Sequence, residues 1–315
     1  MTRRIVRKIV FSLITMLLVS AFVFLLQEFT LGDGAGYYLP EDADSSVVEA
    51  YKSAHGLNGN IFRRYIYFLS SFFTFDWGLT LNGMDVESVI LSRFPATIEI
   101  AVLSLLISLL ISLPWTIAAV VKRDGFLSKA HSIFSTATMA FPSFLIALLL
   151  SYVFALKLKL FPVAGYKGMS EGFFKSLQTV FLPSLTLAVL HSSLFMRVFK
   201  ASLIDNLERP YTLALKAQGA DDFDLVVHSA LKPALPVMLS LIAESLASSF
   251  SGAVIVESVF AIPGIGSLLV KAAESRDVHL SGTILMILAL VVSLLYLLAS
   301  IISAAIDPRV KGDDR

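Results

Sequence analysis

Residues 211–236, YTLALKAQGADDFDLVVHSALKPALP, form a polar interruption in a chain whose other long segments are mostly apolar. The segment has helical spacing but too little hydrophobicity to span a membrane. Tyr211 and Leu215 lie four residues apart, on one face of a short helix predicted over 207–218. An exposed helix with an apolar edge suits a groove in another protein; alternatively, it is an ordinary amphipathic loop lying on lipid headgroups.

A tight turn is predicted to follow this helix. Gly219 suits the left-handed backbone conformation in which many helices end. Asp221 or Asp222 suits the N-cap of a second helix, because a carboxylate there accepts free backbone N–H groups at the positive helix end. Pro233 suits the first turn of the next long segment, where a missing N–H costs nothing.

Six segments are long and apolar enough to cross a bilayer, which takes about 20 residues. The chain is 56% hydrophobic and 16% charged, whereas soluble domains carry roughly 25% charged residues. Pro114 and Pro142 lie inside two of the segments, where neighbouring helices can accommodate a kink. The predicted fold class is therefore an all-α polytopic membrane protein with six spans, at Ile9–Phe29, 97–121, 133–156, 180–199, 233–256 and 283–306.

The distribution of Lys and Arg residues predicts the orientation of the chain in the membrane. An even number of spans puts both termini on one side, and that side holds 15 of the 25 Lys and Arg residues. Cytoplasmic loops carry the excess of basic residues, so both termini are predicted to be cytoplasmic. The N-terminus is expected to be an uncleaved signal anchor. The predicted division is a cytoplasmic end and first span at 1–29, an extracytoplasmic loop domain at 30–95, a transmembrane core at 96–306 with a cytoplasmic loop at 200–232, and a cytoplasmic tail at 307–315.

Composition excludes several functions. The net charge is only +1, which gives no electrostatic support for a nucleic-acid partner. The absence of cysteine excludes disulfides, thiolate nucleophiles and cysteine-bound metals. His191 stands beside two serines, but neighbours in a helix do not face each other, so a hydrolase pair is not predicted. No catalytic residue, metal site or cofactor is expected.

Short motifs occur in order along nearly the whole chain, and together they resemble ABC importer permeases of the dipeptide, oligopeptide and nickel family. The polar segment 211–236 resembles the cytoplasmic EAA loop of that family. The matching residues are His55-Gly56-Leu57 with Arg64-Tyr65; Arg93-Phe94-Pro95-Ala96-Thr97-Ile98-Glu99; Ala214, Ala217 and Gly219 with Ala230-Leu231 and Pro236; Glu257-Ser258-Val259-Phe260 with Pro263-Gly264-Ile265-Gly266 and Arg276-Asp277; and Asp307-Pro308-Arg309.

The resemblance implies a type I ABC importer permease in the cell inner membrane. Its implied partners are a second homologous permease, two cytoplasmic ATP-binding subunits and an extracytoplasmic substrate-binding protein. The chain would be half of a translocation pathway for peptides, with nickel complexes or oligosaccharides as alternative substrates. It would not be an enzyme, because the G-x-x-x-x-G-K-[ST] phosphate loop is absent and ATP hydrolysis would fall to the partners.

The resemblance also implies which residues couple to the ATPases: Tyr211, Ala214, Leu215, Ala217 and Gly219. This chain departs from the family pattern within that loop. Leu213 stands where the family has an acidic residue, and Gln218 stands where a basic residue precedes the glycine. An ion pair from position 213 to an ATPase is therefore not expected.

A polar stripe is predicted on the fifth span, where Ser240, Glu244, Ser248 and Ser251 fall on one helix face. A charged carboxylate at that depth costs several kcal/mol without a partner. The stripe would line the translocation pathway, where water lowers that cost. The alternative is a packing seam, in which Glu244 bonds His191 or a residue of the partner permease. A secondary transporter remains a rival, although no inverted repeat is visible and few ionisable residues lie in the spans.

The predicted topology has a direct test, because the chain lacks native cysteines. A single Ser45→Cys variant is expected to react with an impermeant thiol reagent on intact cells. Reaction only after the membrane has been opened would contradict an extracytoplasmic location for residues 30–95.

Overall fold

A computed structural model describes residues 2–31, 39, 44–54 and 60–306, and these residues are almost entirely helical. The α-helices are α1 Thr2–Leu31, α2 Ser45–Ala54, α3 Ile61–Phe73, α4 Val86–Val121, α5 Phe126–Ala140, α6 Ser143–Leu150, α7 Phe173–Leu207, α8 Pro210–Ala217, α9 Asp222–Asp224, α10 Leu231–Val259, α11 Ile265–Glu274 and α12 Val278–Ile306. A π-helical turn, Ser151–Lys157, extends α6, and a second, Leu225–Ala230, joins α9 to α10.

The described residues contain five helical stretches that are long and apolar enough to cross a membrane. A further pair, Phe126–Ala140 and Ser143–Lys157, passes the same criteria together but is bent by 110°. The predicted all-α polytopic fold is confirmed, with six crossings when the bent pair counts as one. The five unbroken stretches are Ile9–Phe29, Val86–Val121, Phe173–Leu207, Asp222–Val259 and His279–Ser303.

The third span is not the single helix predicted over 133–156. Phe141 has an extended backbone, as the residue before a proline prefers, and α5 ends there. Pro142 then caps α6, and its carbonyl accepts the Leu145 N–H at 3.1 Å. The sequence predicted a kink at this proline, and in the structure the two helices meet there at a bend of 110°.

Pro233 lies in the first turn of the α-helix Leu231–Val259, as predicted, but that helix is not the start of the helical stretch. One continuous helical stretch runs from Asp222 to Val259 and contains Pro233. Its N-cap is Asp221, whose side chain accepts the Phe223 N–H at 3.2 Å. The long stretch therefore starts inside the predicted polar loop and ends beyond the apolar segment.

Helices α4 and α7 pack closely along their length and form the centre of the bundle. Ser104, Ser108 and Ser112 are fully buried at successive turns of α4. On α7 the fully buried residues include Ser184 and Ser192, whose hydroxyl donates to the Ser108 carbonyl at 3.4 Å. Such small side chains let membrane helices approach closely where lipid offers no hydrophobic driving force.

A buried carboxylate ties three helices together at the large-loop end of the bundle, the end formed by residues 74–85, 157–172 and 260–277. Glu257, in the last turn of α10, accepts bonds from the Thr97 hydroxyl at 2.6 Å and the Ser267 N–H at 2.8 Å. The Thr97 oxygen in turn accepts the Ile265 N–H at 2.9 Å. A Cβ on Gly264 would overlap the Glu257 carboxylate. The first turn of α11 is thus held by side chains of α4 and α10.

Two more carboxylates fix the loops at this end. Glu99 accepts bonds from the Tyr166 hydroxyl at 3.0 Å and the Ser176 hydroxyl at 2.6 Å. Burial, and then the Glu99 carboxylate, raise the pKa of Tyr166, so its hydroxyl stays a donor well into the alkaline range. Asp277 accepts the Leu81 N–H at 2.9 Å and also caps α12 by accepting the Leu280 N–H. These two bonds join the loop after α3 to the last span.

Two of the predicted features, the motif at 55–57 and the tail at 307–315, lie outside the described residues.

Glu257→Leu is expected to destabilise the fold by about 2–3 kcal/mol, because it leaves the Thr97 hydroxyl and the Ser267 N–H buried without their partner. Thermal unfolding in detergent measures the effect. Glu274→Leu, at an exposed position on α11, is the matched control. Equal unfolding temperatures for the two variants would contradict a structural role for the Glu257 carboxylate.

Candidate functional site

The predicted docking element is the short helix α8, Pro210–Ala217, here called the docking helix. It is shorter than the predicted 207–218, because α7 continues to Leu207 and the chain turns at Arg209. Pro210 occupies its first turn, where proline is favoured. The docking helix lies at the docking end of the bundle, formed by residues 122–125 and 208–224.

The turn after the docking helix has the form that the sequence predicts. Gly219 adopts the left-handed conformation, with φ of 92°. Its N–H donates to the Lys216 carbonyl at 3.0 Å, and the Ala220 N–H donates to the Leu215 carbonyl at 3.1 Å. This pair of bonds is the Schellman arrangement, which satisfies the last carbonyls of a helix. Lys216 also forms an ion pair with Asp222 across the turn at 2.9 Å.

The predicted coupling residues share one accessible surface of the docking helix and its turn. Thr212 is the buried residue of this helix, and its hydroxyl donates to the Asn206 carbonyl at 3.0 Å. Leu213 is about half exposed to solvent. It also lines a cavity of about 110 Å³, together with Arg123 and Asp222. The predicted residues Tyr211, Ala214, Leu215, Ala217 and Gly219 are all exposed, as are Leu213, Lys216 and Gln218.

The predicted polar stripe on α10 divides into two parts. Ser240, Glu244 and Ser251 are exposed in the single chain. Ser248 is half-buried, and its hydroxyl lies 3.1 Å from Nε2 of His191 on α7. Three members of the stripe therefore form an open polar face, called the α10 face, whereas the fourth takes part in helix packing.

Glu244 does not bond His191, as one interpretation of the sequence expected. Its carboxylate instead accepts a hydrogen bond from the Tyr296 hydroxyl on α12. No sequence signal pointed to Tyr296, because the two residues lie on different spans and no pattern connects them. In the part of the chain that the structure describes, no three His, Asp or Glu side chains cluster so as to hold a metal ion.

The docking helix and the α10 face both lie within residues 111–312, which match the family of binding-protein-dependent transport system inner membrane components. The chain belongs to this family. It is therefore a multi-pass membrane component of a transport system, and the family implies ATPase and substrate-binding partners.

Relatives match this inner membrane component over nearly its full length. It is 29% identical to a probable peptide ABC transporter permease protein of Sinorhizobium fredii, over 98% of each chain. It is 26% identical to the dipeptide transport system permease protein of Bacillus subtilis, over 99% of this chain and 98% of the relative. It is also 26% identical to the glutathione transport system permease protein of Escherichia coli K12, over 99% of each chain.

Gly219→Val tests the turn of this inner membrane component. A Cβ at Gly219 would meet no neighbour within 4 Å, so the cost comes from the left-handed backbone alone, about 1–2 kcal/mol. We expect the variant to insert normally but to retain less ATPase on co-purification. Gly219→Asn is the control, because asparagine tolerates this conformation. Equal retention of the ATPase by the valine variant and the unchanged chain would contradict the prediction.

Proposed function

We propose that this chain is one of two homologous permease subunits of an ATP-driven peptide importer and forms half of the translocation pathway. The observation that carries the proposal is the full-length similarity to relatives named as peptide and dipeptide permeases. Two cytoplasmic ATPases and one extracytoplasmic binding protein complete the importer. The ATPases hydrolyse ATP, and this chain converts their motion into opening and closing of the pathway.

The docking end faces the cytoplasm in this proposal, and both termini lie on the same side. Support comes from basic residues at that end, among them Arg123, Arg209 and Lys216, since cytoplasmic loops are enriched in such residues. The large-loop end and the segment 30–95 then face the binding protein.

The docking helix contacts an ATPase through its exposed residues. Tyr211 and Leu215 supply an apolar edge, and Leu213 adds a further exposed apolar side chain where the family has an acid. Burial of apolar side chains in a groove is one established mode of helix recognition. Contact in this importer therefore depends on apolar burial at position 213 rather than on an ion pair.

The long stretch Asp222–Val259 connects the docking end to the large-loop end. Its 38 residues correspond to roughly 57 Å of helix. Displacement of the docking helix can thus reach the α10 face, halfway along, through one continuous helical stretch. The Tyr296 hydroxyl gives the Glu244 carboxyl a hydrogen-bond partner, which reduces the cost of placing it in the membrane.

The proposal is tested by reconstitution in proteoliposomes with a second permease, two ATPases and a binding protein. Uptake of a labelled dipeptide and tripeptide mixture is measured with and without ATP. We expect uptake that requires ATP and the binding protein. Uptake driven by an ion gradient without the ATPases would support a secondary transporter, and uptake of nickel or an oligosaccharide in place of peptides would overturn the substrate class.

The α10 face as part of the pathway is tested with single cysteines. Ser240→Cys and Ser251→Cys are expected to react with a small hydrophilic thiol reagent, and their rates to change when ATP and loaded binding protein are added. Ala243→Cys, on the buried side of α10, is the control and should stay protected. Ser248→Cys is expected to react slowly because this position faces His191. Equal protection at all four positions in every state would favour the packing seam.

A further inference from the structure

Tyr211 joins the docking helix to the long helical stretch that contains α10. Its hydroxyl donates a hydrogen bond to the Ser229 carbonyl at 2.7 Å, although its ring remains largely exposed. The bond connects residues 18 positions apart in the chain, so it is a tertiary contact rather than part of either helix. A tyrosine needed only for an apolar contact with an ATPase would not require this hydroxyl.

The carbonyl that Tyr211 reaches lacks its usual partner. In an α-helix the carbonyl of residue 229 accepts the N–H of residue 233. Residue 233 is a proline, which has no N–H to donate. The turn just before it, Leu225–Ala230, is π-helical, and the Leu231 N–H reaches back five residues to the Val226 carbonyl. The Tyr211 hydroxyl therefore supplies a donor where the usual α-helical donor is missing.

The neighbouring residue makes a matching bond to a different span. The buried Thr212 hydroxyl donates to the Asn206 carbonyl, at the end of α7, at 3.0 Å. Two consecutive hydroxyls thus tie the docking helix to α7 on one side and to the Asp222–Val259 stretch on the other. Leu213 and Leu215 remain exposed for another protein.

We propose that Tyr211 is a positioning residue that latches the docking helix to the Pro233 joint, so that displacement of the docking helix acts directly on the π-helical turn of the fifth span. The source of that displacement rests on the proposed function. The latch itself is a property of this chain and is open to measurement without any ATPase.

The latch is tested by a double-mutant cycle between Tyr211→Phe and Pro233→Ala in the permease pair, held in lipid nanodiscs. Spin labels on Gln218→Cys and Lys232→Cys, both exposed, report the distance between the docking helix and the fifth span. Tyr211→Phe is expected to raise the ratio of unlatched to latched populations about 2- to 10-fold, the range of one net hydrogen bond. Pro233→Ala gives the Ser229 carbonyl a donor of its own, so the same change in that background should be under about twofold.

Tyr152→Phe, which removes an exposed hydroxyl far from the docking helix in sequence, is the matched control and should leave the distances unchanged. The proposal is overturned if Tyr211→Phe has no effect, or if its effect is equally large with Pro233 and with Ala at that position. In the complete importer, Tyr211→Phe should lower the ATP hydrolysis stimulated by loaded binding protein, measured per bound ATPase, about 2- to 10-fold. Failure of the unchanged pair to bind any ATPase would refute the proposed function, and the distance measurement would still decide the latch.

Discussion

Backbone polar groups inside a bilayer find no water, so the protein itself must satisfy each interruption of a helix. This constraint accounts for much of the fold. At Pro142 the chain resolves it by breaking the span, and the proline carbonyl starts the next helix. Near the docking end, where solvent also reaches the chain, the helix passes through a π-helical turn just before Pro233, and the Tyr211 hydroxyl donates to the Ser229 carbonyl. At the end of α10 the buried Glu257 carboxylate accepts the free N–H of Ser267 in the first turn of α11.

The two ends of the bundle are held by different kinds of bonds. At the large-loop end, the buried or half-buried carboxyl groups of Glu99, Glu257 and Asp277 each accept at least two hydrogen bonds. At the docking end, single hydroxyl groups contact backbone carbonyls, and the Lys216–Asp222 ion pair is exposed to solvent. Single bonds and exposed ion pairs contribute less to stability than a buried acceptor that several donors share. The docking end is therefore the end that can move at lower cost.

Sequence patterns predicted features that depend on nearby residues. The apolar segments, the glycine that ends the docking helix and an aspartate cap after it follow from local chemistry, although the choice of Asp221 over Asp222 needed the structure. Features that join distant residues were not predictable. Glu257 was visible as part of a motif, but its partner Thr97 lies 160 residues away. The size of the bend at Pro142 depends on the helices packed around it, which no local pattern contains.

The contact between Glu257 and Gly264 also limits how this sequence can diverge. Any side chain at position 264 would occupy the space of the carboxylate, and any shorter residue at position 257 would leave the start of α11 without its acceptor. A substitution at either position alone would therefore destabilise the fold. The pair is consequently expected to be inherited as a unit, and an exchange at one site would have to be accompanied by a compensating exchange at the other.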